Sequence, residues 1–166
     1  IGKIVKGLTK ISHLKKDKNF SLQAENYRKM LLTLNDDIRV IIIKIADRLH
    51  NMQTLDAMSE EKRIKISSET LYIYAPLAHR IGLYNIKNEL EDLSLKYTES
   101  EKYFTIKNKL ERSKKDQDSY IKTFSDFISY ALNNEKLKYT IQGRSKSIFS
   151  IYKKMEEKVI DFDQVY

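Results

Sequence analysis

Apolar residues recur every three or four positions along most of this chain, and the polar stretches between those runs mark where helices start and stop. Residues Lys3–Ile11 read as the end of a helix, and the basic, aperiodic Ser12–Phe20 as a loop. Ser21 can cap a helix to about Leu34, with Leu22, Tyr27, Met30, Leu31 and Leu34 as its apolar positions. Asn35–Asp37 caps the next helix, Ile38 to about Leu55, where its acids suit the helix N-terminal dipole. Ser59, Glu60 and Glu61 open a helix to Arg80; Pro76 should kink or break it near Ala75, and Gly82 should end it. Asn85–Tyr97 is amphipathic through Ile86, Leu90, Leu93 and Tyr97, with Lys87 and Glu91 spaced to pair. Thr98–Glu101 has the spacing of a capping box and opens a helix expected to reach Asn133. Its polar stretch "ERSKKDQDS" should be exposed and able to bend.

The period then changes. Leu137–Gly143, "LKYTIQG", alternates and is rich in β-formers, the first strand signal in the chain. Ser145–Lys158 returns to helical spacing through Ile148, Ile151, Tyr152 and Met155. A domain boundary is expected near Asn133–Glu135. With 4 glycines and 1 proline, the chain has few breakers and reads as mostly helical.

The helix from Ile38 carries the candidate chemistry. At 100° per residue, Ile38, Ile41, Ile42, Ile45, Leu49 and Met52 share one side, and Lys44, Asp47, Arg48, Asn51 and Thr54 the other. Val40 and Ile43 flank the polar group, so that face is expected to be partly shielded from water. Asp47 and Asn51 stand one turn apart. Spacing alone favours a solvated face on which Asp47 pairs with Lys44 or Arg48. The sharper reading is that Asp47 ligates a hard or borderline metal, beside which Asn51 and Thr54 hydrogen-bond a ligand. His50 lies off this face.

Composition narrows the classes. There are 31 Lys and Arg against 23 Asp and Glu, a net charge of +8, which favours anionic partners. The basic residues are scattered, and the chain lacks both a clustered basic stripe and aromatic-rich strands, so an RNA-binding module rests on charge alone. Absence of Cys removes disulfides, thiolate catalysis and Cys-based zinc sites. No apolar run is long enough to span a membrane. The chain opens at Ile1 without Met and stops at Tyr166 as a strand-like pattern gathers, so it reads as a piece of a longer protein.

"DIRVIIIKIADRLHNMQTL" (37–55) followed by "ETLYIYAPLAHRIGLYNIKNELEDLSLKY" (69–97) resembles the RelA/SpoT family of alarmone enzymes. So do "GLTKI" (7–11), "AENYRKML" (24–31) and "GRSKSIFSIYKKM" (143–155), all in the family's order. The resemblance implies a helical HD-type hydrolase, which removes the 3′-pyrophosphate of (p)ppGpp with Mn2+. It also implies an α/β synthetase, which moves pyrophosphate from ATP to GDP or GTP with Mg2+. On it, residues 1–97 are the later part of the hydrolase domain, 98–134 a helical connection, and 135–166 the first strand and helix of the synthetase.

Residue by residue, the resemblance makes Asp47 a metal ligand and assigns Asn51 and Thr54 to the guanosine nucleotide. It assigns Arg144, Lys146, Ser150 and Lys154 to ATP. The remaining hydrolase ligands, a His and a His-Asp pair, and the Glu-Asp pair supporting the attacking water, have no counterpart in this sequence. Nor do the synthetase's Mg2+-binding Asp and later Glu, so the chain alone is expected to be inactive. Ser145 and Ser147 stand where the family usually has Pro and His, which removes a possible phosphate contact. A cytoplasmic stringent-response enzyme is implied, with ribosome contact through C-terminal regions absent here. The competing reading is a non-catalytic helical scaffold from a degenerate member. Pro76 and His79 read as packing residues.

Overall fold

The computed structural model describes Gly2, Ile4, Val5 and residues 37–165. The expectations for Lys3–Ile11 as a whole, Ser12–Phe20 and Ser21–Leu34 lie outside the described residues. The described chain is helical, in two compact units, 1–98 and 99–166.

In the first unit, α1 spans Ile38–Gln53 and begins at Asp37, whose carboxylate accepts the Arg39 backbone N–H. This is the expected cap, satisfying a donor that the first turn leaves unpaired. A 3-10 turn, Leu55–Ala57, leads to α2, Glu60–Glu69. The expected break near Pro76 is a π turn, Thr70–Tyr74, after which α3 runs Ala75–Arg80. Proline lacks an N–H and its ring crowds the carbonyl four residues back. Widening the turn before it relieves both, and the Ala75 N–H reaches back five residues to the Thr70 carbonyl. Gly82 takes φ +79°, and the Gly82 and Leu83 N–H groups close on His79 and Ala78, a Schellman ending. Helix α4, Tyr84–Thr98, packs against α1, α2, the π turn and α3. Lys87 and Glu91 form the expected pair at 2.6 Å.

The core of this unit is Val40, Ile41, Ile45, Met52, Leu55, Ile73, Tyr74, Ala75, Leu77, Ala78 and Leu90, with Ile4 packed at its edge. The buried arc of α1 is turned from the expected one, since Ile38 and Ile42 are exposed while Val40 and Arg48 are buried. An aliphatic count cannot anticipate a buried arginine.

In the second unit, α5 runs unbroken from Ser100 to Asn134 and α6 from Ile148 to Lys158. The polar stretch at 111–119 is largely exposed, as expected, but stays helical. The capping box at Thr98 does not form. Thr98 still belongs to α4 and donates to the Ser94 carbonyl at 3.0 Å, and Glu99 is the single residue between the two helices. Ile106, Ile151, Phe162 and Val165 make the core, with Leu110, Ile148, Tyr152, Met155 and Ile160 around it.

The expected strand is also corrected. No strand occurs among the described residues, and Leu137–Gly143 carries no regular structure. Alternation marks a segment suited to a sheet, but a strand needs a neighbour to accept its ladder bonds. Here Tyr139 instead donates to the Ser129 carbonyl at 3.2 Å.

Candidate functional sites

The two expected sites lie in separate units. In the first, Asp47, Asn51 and Thr54 are all exposed along α1. Ile43, 43% exposed, lies beside them, so an apolar side chain borders the acid without covering it. Neither expected ion pair of Asp47 forms: its carboxylate joins no other described residue. Arg48 points the other way, into the core, to Glu69 at 2.8 Å, with its guanidinium over the Tyr74 ring. Burial works against that charge, yet Tyr74 and Glu69 outweigh it and hold Arg48 above its ordinary range.

Thr54 ends α1 and donates its hydroxyl proton to the His50 carbonyl at 3.0 Å. That leaves its oxygen as an acceptor. Two ties hold this end of α1 to α4: Gln53 donates to Glu89 at 2.7 Å, and Lys96 reaches Asp56 at 3.1 Å. The Lys96 hydrogen bond holds the Asp56 carboxyl below its ordinary range. His50 and His79 are exposed, His79 meeting Tyr84 edge-on. Among the described residues no three His, Cys, Asp or Glu side chains gather as a metal cage.

In the second unit, Arg144 and Lys146 are exposed on the segment entering α6, and Ser150 and Lys154 lie on the helix itself. Gly143 passes so close to Ile121 that a β-carbon would collide with it, which gives the glycine before Arg144 a packing reason. The Lys146 charge, reinforced by partial desolvation and by Lys158, holds Lys154 below the ordinary lysine range. Lys154 also donates to the Val165 carbonyl at 3.3 Å. Such an arrangement favours an anion.

Sequence reasoning missed the role of Ser147. It is the N-cap of α6, accepting the Ser150 N–H, and its hydroxyl lies 2.8 Å from the Ser150 hydroxyl. The signal was present as a Ser directly before the apolar period.

Comparison with known proteins places the chain in a family. Residues 1–84, just over half of the chain, match the HD domain. The chain is 47% identical over its whole length to a GTP pyrophosphokinase of Myxococcus xanthus, covering 22% of that protein. It is 43% identical, over 98% of its length, to a probable guanosine-3′,5′-bis(diphosphate) 3′-pyrophosphohydrolase of Synechocystis, again covering 22% of the relative. A guanosine-3′,5′-bis(diphosphate) 3′-pyrophosphohydrolase of Haemophilus influenzae is 40% identical over 99% of the chain and 24% of its own length. The chain therefore belongs to the HD domain family and, within it, to the RelA/SpoT group. It spans about a fifth to a quarter of the length of these relatives.

Proposed function

We propose that this chain is a segment of an alarmone enzyme that hydrolyses (p)ppGpp to GDP or GTP plus pyrophosphate, synthesises it from ATP and GDP or GTP, or does both. Residues 1–97 form the later part of the hydrolase domain, 98–134 connect, and 135–166 begin the synthetase. The observation carrying this reading is Asp47: an acid on an exposed helix face, bonded to no other described residue, with Asn51 one turn on.

The residues present fit one wall of the hydrolase site. A bound Mn2+ would supply Lewis acidity and lower the pKa of a coordinated water. Asp47 would hold the ion, Asn51 would offer an amide donor and acceptor to the guanosine nucleotide, and Thr54 could only accept. One carboxylate binds a metal weakly, so the 166-residue segment alone does not hydrolyse efficiently. In the synthetase portion, Lys146 and Lys154 would neutralise ATP phosphates with Arg144 beside them, and Mg2+ would share that charge. A cytoplasmic enzyme whose further regions contact the ribosome completes the proposal. Among the described residues no helix is long and apolar enough to cross a membrane.

One observation favours a second reading, in which synthesis is lost and this portion serves as scaffold. The Ser147 hydroxyl, where the family usually has His, is used in capping α6 and engages Ser150.

The test uses the full-length parent, assayed for ppGpp hydrolysis and for pyrophosphoryl transfer from ATP to GDP, with Mn2+ and Mg2+ supplied separately. Asp47→Ala should abolish hydrolysis and leave synthesis intact; unchanged hydrolysis would refute the ligand assignment. Lys154→Ala should lower synthesis and spare hydrolysis. A parent that never transfers pyrophosphate would establish the second reading.

A further inference from the structure

Arg48 is the one charged group of α1 turned into the core, with its side chain 5% exposed. It donates to Glu69 at 2.8 Å and lies 3.5 Å from the Thr70 hydroxyl, and its guanidinium carbon is 4.1 Å from the centre of the Tyr74 ring. One turn later Met52 makes a second contact with the same segment, its sulfur 3.3 Å from the Thr70 hydroxyl, whose proton goes to the Ile66 carbonyl at 2.7 Å. Two successive turns of α1 are thereby fixed to the start of the π turn. Thr70 and Tyr74 are both buried, and the widened turn before Pro76 aims both at Arg48.

We propose that Arg48, with Glu69, Thr70 and Tyr74, is a positioning residue that sets the rotation of α1 and so aims Asp47 and Asn51 into the metal–nucleotide site. This rests on the hydrolase reading above. Asp47 precedes Arg48 and Asn51 precedes Met52, so each functional side chain sits about 100° around the helix from one that is tied down. Ile41 and Ile45 also anchor α1, but apolar packing is not directional and tolerates a small roll. The Arg48 guanidinium tolerates less, because its N–H···O bond to Glu69 fixes a direction and the Tyr74 ring fixes a face. Rolling α1 would strip Arg48 of Glu69 and leave its charge buried and unpaired. The clamp therefore makes rotation costly at the place where a small misplacement of Asp47 would matter most.

The test measures Mn2+ binding by electron paramagnetic resonance on the metal-free, full-length parent without nucleotide, alongside thermal unfolding and synthetase activity. Glu69→Gln keeps an acceptor for Arg48 but removes the charge. It should weaken Mn2+ binding about tenfold, the low end for groups that orient metal ligands, while synthesis is unchanged. Arg48→Met should weaken it at least as much, and Arg48→Lys should recover part of the loss. If Arg48→Met fails to fold, Glu69→Gln decides, since its side chain is 30% exposed. Loss of Mn2+ binding in Asp47→Asn, with parental affinity in Glu69→Gln and Arg48→Met, would overturn the positioning role alone. Parental binding in Asp47→Asn would overturn the site on which it rests.

Discussion

Lys154 has its pKa lowered by the Lys146 charge. Between that lowered value and the ordinary lysine value, the unfolded chain binds more protons than the folded one. Stability contributed by this group therefore rises with pH across that window, and below it the repulsion is a standing cost. Removing the neighbouring charge with Lys146→Ala should move the Lys154 midpoint upward in an NMR titration of its Cε and Nζ resonances. A midpoint that stays put would show the two ammonium groups to be uncoupled. Arg48→Met should also destabilise the fold, by roughly 1.5–3 kcal/mol, the range for hydrogen bonds to charged groups; chemical denaturation measures this.

Residue identities were legible to different depths. Asp47, Asn51 and Thr54 fall together by periodicity, but only the family pattern separates a ligand face from a solvated stripe. Arg48 was misplaced on that stripe because its partners, Glu69 and Tyr74, are more than twenty positions away and nothing local announces them.

At the scale of elements, helix ends are the most testable feature. Gly82 sits at φ +79° with open space around its missing side chain, so Gly82→Ala costs conformational strain alone, about 1 kcal/mol. Val159 ends α6 at φ 52° and is 91% exposed, so a β-branched side chain is held left-handed with no packing in return. Val159→Gly should stabilise by roughly 0.5–1 kcal/mol, the relief of strain less the added freedom of the unfolded chain. Ser147→Ala should cost about 1 kcal/mol through loss of the α6 cap. Thermal melts of the three variants rank these effects, and a Val159→Gly variant melting below its parent would contradict the strain argument.

Gly82 was legible because glycine is the usual residue for that ending. Lys136, also left-handed at φ 54°, and Val159 were not, since neither residue type signals such a turn. The misread capping box at Thr98 and the unpaired strand at Leu137–Gly143 share one cause. Each has the right local pattern, while the structure around it assigns that backbone elsewhere.

Across the whole molecule, the outline of helices follows from period and punctuation, whereas at Thr98 and Glu99, where the two units meet in sequence, no glycine, proline or composition shift stands, and only the capping-box spacing and the family resemblance mark the place. The longest element shows what a pattern of apolar residues leaves open. Of the 35 residues of α5, Ile106 alone is buried. Its first half meets α6, with Lys102 paired to Glu156 at 2.9 Å, whereas Tyr120, Phe124, Phe127 and Tyr130 are exposed on the second half. Backbone amides near Ile106 and Leu110 should therefore exchange slowly with deuterium and those of 120–130 fast, in one continuous helix. Uniform protection along α5 would mean that the aromatic half is held by something other than its own hydrogen bonds.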